Sequence, residues 1–331
     1  MTSFRNICNT MAILPLLFFN CKDEPKQIPI YTEIVPEKHE AVLEYNTKAK
    51  LGEGAFWNYK TQELYWVDIE GKKLHIYNPS EKTNKTLEVP SRIGTVVPQD
   101  QTHAMVALED GIYKINTKTG ELSQLSDVES DKPFNRFNDG KCDPMGRLWV
   151  GSMNFDAKSK TAALYMVDSE GKTEKKLDSV MISNGIVWTS DKKTMYYADT
   201  PLGNIRAFDY DNDSGTITNE RVAIVIPDSL GSPDGMTIDA HDNLWVALWG
   251  GSAVGHFNPK TGTLIEKIGV PAKNVTSCAF GGKNLDTLYI TTASIGMTEN
   301  ETKQYPQAGA LFKYYPDVKG VNSDFFGQIS Q

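Results

Sequence analysis

The sequence predicts an all-β fold, a six-bladed β-propeller, and three observations support this prediction. From Ala41 onward, no long segment has a convincing helical period. Short runs of β-branched and aromatic residues recur instead, separated by Gly, Asn, Asp and Pro. One short apolar run also returns at intervals of 40 to 49 residues, which is the length expected of a four-stranded propeller blade. Six copies of this run predict six blades.

The recurring apolar run marks one strand of each blade. Its six copies occupy residues 64–67, 104–106, 148–150, 195–197, 244–246 and 288–290. A further strand ending near Asn or Asp follows, and turns such as Lys118-Thr119-Gly120 then lead to an outer strand. A propeller must close its ring, because an open terminal blade would leave an exposed strand edge. We therefore expect residues 41–45 to pair with the last blade as an added strand.

Residues 1–20 are predicted to be a lipoprotein-type signal peptide. Arg5 supplies a positive charge, and the apolar run over residues 11–19 is too short to span a bilayer. The stretch Leu17-Phe18-Phe19-Asn20-Cys21 resembles a bacterial lipobox, which implies that Cys21 is lipidated. The alternative is a secretory peptide in which this cysteine has no role.

Residues 21–40 are rich in Lys, Glu, Pro and Ile without periodicity and are predicted to be a tether, so the propeller domain spans residues 41–331. The protein is expected to be exported and attached to a bacterial membrane by its N-terminal lipid alone. It would then lie in the periplasm or at the outer-membrane surface.

Composition excludes some classes of partner. The net charge of -8 and the pI near 5.3, without a basic stripe, argue against a nucleic-acid binder, which needs clustered Lys and Arg. Only two cysteines, Cys142 and Cys278, fall in the predicted propeller, and we expect both to be buried thiols.

Four oxygen-bearing side chains precede a glycine at the same phase of four repeats: Glu53, Asn138, Asn184 and Asp234. The glycines stand eight to ten residues before the recurring apolar run, where the innermost strand of each blade should begin. Because innermost strands line the central channel, we expect these four side chains to meet at one mouth of the channel.

Two carboxylates and two amides that converge without a basic neighbour would repel each other and lose hydration, and a divalent cation removes this conflict. Oxygen ligands suit Ca²⁺, Mg²⁺ or Mn²⁺, whereas Zn²⁺ more often recruits His or Cys. The five histidines show no ligand spacing and are interpreted as ordinary surface or strand residues. The alternative is that Asp-Gly and Asn-Gly are turn dipeptides, but Ile93-Gly94 and Thr276-Ser277-Cys278 occupy the same place in two other repeats.

Several motifs resemble the regucalcin, gluconolactonase and luciferin-regenerating enzyme family, in colinear order from about Tyr45 to Lys313. They are Leu51-Gly52-Glu53-Gly54, Arg136-Phe137-Asn138-Asp139-Gly140-Lys141, Ile182-Ser183-Asn184-Gly185, Pro233-Asp234-Gly235-Met236 and Thr276-Ser277-Cys278-Ala279-Phe280-Gly281-Gly282. The resemblance implies a six-bladed propeller that hydrolyses sugar lactones with one divalent cation.

The resemblance also implies residue roles. Glu53, Asn184 and Asp234 match metal ligands, and Asp234 also matches the catalytic acid/base. Arg136 and Asn138 match substrate contacts, and Asp156 aligns where the relatives nearest regucalcin have a substrate-binding Glu. Ca²⁺ is the first expectation for the cation, with Zn²⁺, Mg²⁺ or Mn²⁺ as alternatives.

The implied mechanism is that the cation polarises the lactone carbonyl while Asp234 takes a proton from the attacking water. The partner would be a small-molecule sugar lactone, and the protein is expected to be a monomer. Two alternatives remain: a phosphotriesterase-like hydrolase on the same scaffold, and a non-enzymatic propeller that uses the cation for structure and binds a glycan or a protein.

A second calcium motif is interpreted as a false positive. Asp209-Tyr210-Asp211-Asn212-Asp213-Ser214-Gly215 nearly matches an EF-hand loop, but its glycine is displaced by one position. Its flanks look like strands, whereas an EF-hand needs helices. We expect a hairpin turn between outer strands.

Overall fold

The computed structural model describes residues 39–329. The predicted signal peptide, Cys21 and all but the last two residues of the predicted tether lie outside this range. Within it, the strands form six sheets, five of four strands and one of five. Each sheet is one blade of a six-bladed β-propeller, as the sequence predicts.

The first three blades follow one another in chain order, with the innermost strand first. Blade 1 contains β3 (Gly52–Asn58), β4 (Glu63–Asp68), β5 (Lys73–Asn78) and β6 (Thr83–Glu88). Blade 2 contains β7 (Ile93–Pro98), β8 (His103–Leu108), β9 (Gly111–Asn116) and β10 (Leu122–Ser126). Blade 3 contains β11 (Asn135–Cys142), β12 (Leu148–Asn154), β13 (Ala162–Val167) and β14 (Thr173–Val180).

The last three blades repeat this order, and the final one borrows a strand from the start of the chain. Blade 4 contains β15 (Ser183–Trp188), β16 (Thr194–Asp199), β17 (Asn204–Asp211) and β18 (Thr216–Val225). Blade 5 contains β19 (Ser232–Ile238), β20 (Leu244–Trp249), β21 (Ala253–Asn258), β22 (Thr263–Gly269) and β1 (His39–Glu40). Blade 6 contains β23 (Asn274–Gly281), β24 (Thr287–Ala293), β25 (Leu311–Tyr314) and β2 (Val42–Tyr45).

The six innermost strands contact one another in a closed circle, β3 to β7, β11, β15, β19, β23 and back to β3. The ring is closed by β2, which pairs antiparallel with β25 through Val42 and Lys313, and this confirms the predicted added strand. The last two residues of the predicted tether form β1, which pairs in parallel with β22. Ring closure therefore covers the edge that the last blade would otherwise expose.

Most connections between the strands are short, and the longest, residues 294–310, joins β24 to β25. The described residues contain one α-helix, α1 (Glu299–Gln304), and two 3-10 turns, Thr200–Leu202 and Asp228–Leu230. No helix in this part of the chain is long and apolar enough to cross a membrane. The EF-hand-like segment is the hairpin between β17 and β18, and its flanks are strands as predicted.

The core lies between neighbouring blades and is rich in aromatic side chains. Trp66, Trp149 and Trp245, which recur at equivalent places in three blades, are each at most 1% exposed. Cys142 and Cys278 are buried free thiols, as expected.

Every innermost strand carries an irregularity in its pairing near its start. The register shifts between Glu53 and Phe56, Ile93 and Val96, Phe137 and Gly140, Ser183 and Ile186, Pro233 and Met236, and Val275 and Ser277. A bulge re-aims the side chains at that point of a strand. The bulge therefore explains why the polar residues of four blades occupy equivalent places.

The glycines beside these polar residues lie inside strands, so the alternative interpretation as turn dipeptides is wrong. A Cβ atom on Gly185 would lie 2.8 Å from the carbonyl oxygen of Asp234 in the next blade. A Cβ atom on Gly235 would lie 2.6 Å from Oγ of Ser277. Glycine is needed there because innermost strands of neighbouring blades approach closely around the channel.

Candidate metal and active site

The starts of β3, β15 and β19 bring three side chains together at one mouth of the channel. Glu53, Asn184 and Asp234 are 5%, 4% and 3% exposed. The side chains of Glu53 and Asn184 both lie near enough to the carboxyl group of Asp234 to affect its pKa. Residues separated by up to 181 positions in the chain thus form one cluster, because the blades repeat around the ring.

Burial dominates the electrostatics of the two carboxyl groups. It raises the pKa of Glu53 well above its ordinary value, and the charges of Asp234 and Asp139 add to this effect. Burial also raises the pKa of Asp234 to about 8, although the hydrogen bond with Glu53 opposes the shift. Without a cation, the pair therefore resists double ionisation, because two buried negative charges would repel each other.

Asn184 contributes an oxygen that faces no donor. Its Nδ2 donates to Oγ1 of Thr200 at 2.9 Å, and that hydroxyl donates to the carbonyl oxygen of Pro233 at 2.8 Å. Its Oδ1 is buried and has no hydrogen-bond partner within residues 39–329. An unsatisfied buried acceptor is costly unless something binds to it.

A third carboxyl group, on Asp139, was not assigned a role from the sequence. Asp139 is 6% exposed, and burial raises its pKa while the charge of Lys141 opposes the rise. Its own charge raises the pKa of both Glu53 and Asp234. The sequence signal was the doublet Asn138-Asp139, of which only the first residue was interpreted.

Arg136 and Asn138 lie on β11, next to the cluster. Nη1 of Arg136 donates to Oδ1 of Asn138 at 2.7 Å, and Nδ2 of Asn138 donates to the carbonyl oxygen of Ser183 at 2.7 Å. Burial lowers the pKa of Arg136 to about 10, so its guanidinium remains charged at neutral pH. The structure thus places a buried guanidinium near Glu53 and Asp234, so the expectation that these side chains converge without a basic neighbour is wrong.

Asp156 lies in the exposed turn that follows β12. Its carboxylate accepts hydrogen bonds from the backbone N–H groups of Lys158 and Ser159, both at 2.8 Å, and from the Ser159 hydroxyl at 2.6 Å. These bonds account for the side chain as a turn cap. The substrate contact implied by the family resemblance stays a prediction.

The start of β11 is also held by a buried glutamate that sequence reasoning missed. Glu129 accepts hydrogen bonds from Tyr165 at 2.5 Å, Lys132 at 2.7 Å and Asn135 at 2.7 Å. Asn135 immediately precedes Arg136. The glutamate therefore fixes the strand end from which Arg136 projects.

The chemistry of the donor set fits a divalent cation. Two buried carboxylates and one amide oxygen without a partner in the described chain are hard oxygen donors of the kind that Ca²⁺, Mg²⁺ and Mn²⁺ prefer. No group of three or more His, Cys, Asp or Glu side chains among residues 39–329 could hold a metal. The candidate set includes an asparagine, so it contains only two such side chains.

A cavity of about 640 Å³ lies at the opposite end of the channel, away from the cluster. It is lined by the ends of innermost strands, including Lys141, Trp188 and Thr237, and by residues 321–329. Nζ of Lys141 donates to the carbonyl oxygen of Met236 at 2.7 Å. The two ends of the channel therefore differ, and the carboxylate cluster belongs to the end where the strands start.

The fold and the cluster define a class: six-bladed propellers with an oxygen-rich site at the mouth of the central channel. Residues 51–294 match the family described as the SMP-30/Gluconolactonase/LRE-like region. The chain belongs to this family, and the family resemblance of the motifs is confirmed.

Relatives support the same assignment. A Bacillus subtilis (strain 168) protein with the provisional name sugar lactone lactonase YvrE is 42% identical over 281 residues, covering 85% of this chain and 96% of its own. The structure of a calcium-binding protein, regucalcin, from Agrobacterium tumefaciens is 28% identical, with a TM-score of 0.84, and covers 87% and 98% of the two chains. A luciferin-regenerating enzyme structure is 32% identical, with a TM-score of 0.82, and covers 87% and 100%.

Proposed function

We propose that this protein is a divalent-cation-dependent hydrolase that opens the ester ring of a sugar lactone. The observation that carries the proposal is the Oδ1 atom of Asn184, which is buried beside Asp234 and lacks a partner in the described chain. The name of the Bacillus subtilis relative, a sugar lactone lactonase, supports the substrate class.

Glu53, Asn184 and Asp234 would hold the cation. Ca²⁺ is the first candidate, because the Agrobacterium tumefaciens relative is named as a calcium-binding protein, and Zn²⁺, Mg²⁺ and Mn²⁺ are alternatives. When bound, such a cation would keep both carboxylates ionised, polarise the lactone carbonyl and stabilise the negative charge that develops on its oxygen.

Asp234 acts on the attacking water. Its carboxylate accepts a proton as the water oxygen bonds to the carbonyl carbon, and it returns the proton to the ring oxygen when the ring C–O bond breaks. The product is an open-chain hydroxy acid, which releases one proton at neutral pH.

Arg136 and Asn138 would orient the sugar. The guanidinium of Arg136 is charged, buried and held against Asn138, so its direction is set before substrate arrives. A planar guanidinium can donate two hydrogen bonds to neighbouring oxygens of one substrate. Asp156 is proposed as a further contact at the edge of the same mouth.

The proposal is tested by adding aldonolactones to the purified protein and following proton release in a pH-stat. With Ca²⁺, Zn²⁺, Mg²⁺ or Mn²⁺ present, we expect hydrolysis of at least one lactone, and we expect a chelator to abolish it. Hydrolysis of phosphotriesters but of no lactone would favour the phosphotriesterase-like alternative. Cation binding without hydrolysis of either substrate class would favour a non-enzymatic binding protein.

We also propose that the chain is exported and anchored through a lipid on Cys21, which lies outside the described residues. A radioactive fatty acid should label the wild-type protein in cells and should not label Cys21→Ser. Absence of label on the wild type would contradict lipidation, and it would leave the lactonase proposal unaffected.

A further inference from the structure

Four large apolar side chains are exposed around the mouth that holds the carboxylate cluster. Phe134 is 73% exposed, Phe155 and Leu202 are each 42% exposed, and Ile295 is 41% exposed. We call these four residues the apolar rim. They belong to blades 3, 4 and 6. In each of these blades, the rim residues lie just outside the end of the sheet where the innermost strand begins and the second strand ends.

Phe134 and Phe155 form the best-defined part of the apolar rim. The backbone N–H of Phe155 donates to the carbonyl oxygen of Phe134 at 2.9 Å, one step beyond the paired residues Asn135 and Asn154. Phe134 is therefore only two residues from Arg136. The exposed aromatic pair lies directly beside a proposed substrate contact.

Phe155 also packs against the guanidinium group of Arg92. The guanidinium carbon of Arg92 lies 5.0 Å from the centre of the Phe155 ring. Arg92 donates in turn to Glu70 at 2.8 Å and to Glu109 at 2.9 Å. Because the arginine is fixed on both sides, the phenyl ring has a stable platform while its other face remains exposed.

Leu202 and Ile295 are the rim residues of blades 4 and 6. Leu202 is two residues after Thr200, whose hydroxyl accepts the hydrogen bond from Asn184. The backbone N–H of Ile295 donates to the carbonyl oxygen of Lys50, three residues before Glu53. Each rim residue is thus within a few residues of a group that forms or supports the cluster.

An apolar rim gives a polyhydroxylated ring no hydrogen-bond partners, but it can remove an apolar group from water. Clustered exposed apolar side chains usually mark a binding surface. Other exposed apolar residues lie away from the mouth, such as Ile265 on outer strand β22 and Val321 beside the cavity at the opposite end of the channel. The exposed pair of Phe134 and Phe155 beside a proposed substrate contact therefore favours an occupant with an apolar part.

We propose that the preferred substrate is a lactone whose ring carries an apolar alkyl or aryl substituent, and that this substituent lies across the apolar rim while the ring reaches the cluster. This inference rests on the proposed lactonase function and specifies its substrate class. The ring oxygens would meet Arg136 and Asn138, and the substituent would pack on Phe134 and Phe155.

The test is a series of δ-lactones with alkyl side chains of increasing length, from δ-valerolactone to δ-decalactone, each below its aggregation limit and with saturating cation. We expect kcat/KM to rise about 3- to 4-fold for each added methylene that reaches the apolar rim. Phe134→Ser and Phe155→Ser should each flatten this dependence. The matched control, Ile265→Thr on outer strand β22, should retain it.

A second readout separates this inference from the proposed function. Saturation-transfer NMR of the same lactones with cation-free protein should show tighter binding of longer chains and weaker binding to Phe134→Ser. Hydrolysis of gluconolactone with no chain-length effect in either assay would overturn the inference and leave the lactonase proposal intact. Chain-length-dependent binding without hydrolysis would support the rim and overturn the lactonase proposal. Phe134-dependent binding to liposomes without chain-length-dependent lactone binding would assign the apolar rim to a membrane surface and overturn the inference.

Discussion

The side chain of Asn184 is held by Thr200, whose hydroxyl accepts a 2.9 Å hydrogen bond from Nδ2 and donates a 2.8 Å hydrogen bond to the carbonyl oxygen of Pro233. This link fixes the orientation of the amide: its nitrogen faces Thr200, and its oxygen is left without a hydrogen-bond partner among residues 39–329. Thr200 is therefore a positioning residue for the proposed cation site.

Replacing Thr200 by valine should weaken cation binding without removing a ligand. Loss of an outer partner of a metal ligand typically costs about 10- to 100-fold in affinity. We expect isothermal titration calorimetry with Ca²⁺ to show such a loss for Thr200→Val and near-normal affinity for Thr200→Ser, which keeps the hydroxyl. Equal affinities for valine and serine would contradict the role of the hydroxyl.

Asp234→Asn should lower the rate of lactone hydrolysis by about 10²- to 10⁴-fold if general-base work is its main contribution, and by more if cation binding is also lost. The amide keeps the shape of the side chain but cannot accept the proton. Rates should be measured in a pH-stat at several cation concentrations. Asp211→Asn, which makes the same change in the exposed hairpin between β17 and β18, provides a matched comparison. Near wild-type turnover by Asp234→Asn would rule out the assigned role.

Glu44 is expected to stabilise the closure of the ring. Its side chain, 2% exposed, accepts hydrogen bonds from Tyr77 at 2.7 Å and Lys82 at 2.5 Å in blade 1, and pairs with Lys313 of blade 6 at 3.0 Å. Glu44→Ala leaves these donors without their acceptor and should cost about 2 kcal/mol of unfolding free energy. Urea denaturation measures the loss, and Glu44→Gln should lose less. A change below about 0.5 kcal/mol, the range of an ordinary surface substitution, would show that the contacts of Glu44 do not stabilise the ring closure.

His75 and His256 occupy equivalent places in blades 1 and 5, each stacked on a tryptophan with ring centres 4.1 Å apart. Burial lowers the pKa of His75 to about 4. Burial also disfavours charge on His256, but hydrogen bonds to Asp239 at 3.0 Å and Glu266 at 3.2 Å outweigh it and raise the pKa. NMR titration of the imidazole signals should find the two pKa values on opposite sides of the ordinary value of about 6.5.

The two histidines should also affect stability in opposite directions. Because the folded-state pKa of His75 is lowered, its contribution is complete above about pH 6.5 and declines as the pH falls towards 4. Because that of His256 is raised, its contribution is complete below about pH 6.5 and declines as the pH rises through the folded-state pKa. His75→Gln should reduce the loss of unfolding free energy on acidification, whereas exposed His241→Gln should not.

Glu129 should matter for substrate affinity, although it is remote from the cation ligands. It has a φ of 70°, unusual for a residue other than glycine, and three hydrogen bonds hold it there. Glu129→Gly suits the backbone but removes all three bonds, so the start of β11 should loosen. We expect KM for lactones to rise about 10-fold with a smaller change in kcat, and Tyr165→Phe to give an intermediate effect. A large fall in kcat with unchanged KM would contradict a positioning role.

The fold could be predicted because each blade repeats the same pattern of apolar runs and turns in the sequence. Alternation of short apolar runs with turns identified the strands, and the interval of the run identified the blades. The positions of Glu53, Asn138, Asn184 and Asp234 at equivalent starts of innermost strands followed from the same phase. The glycines were harder to interpret, since Gly185 and Gly235 serve close approach of neighbouring strands and not turns.

The sequence by itself determined the ring, its closure by the N-terminal strand and the set of residues at the channel mouth. Residues at the same position of each repeat lie at the same end of the channel, because the blades are related by pseudo-symmetry. Only the tertiary structure decided which of these residues lie together and that the side-chain oxygen of Asn184 stays unpaired among the described residues. It also showed that Asp139, Thr200 and Glu129 support the site. Hydrogen bonds and burial depend on the exact distances between side chains of neighbouring blades. The periodicity of the sequence predicts which blades are neighbours, but it does not predict these distances.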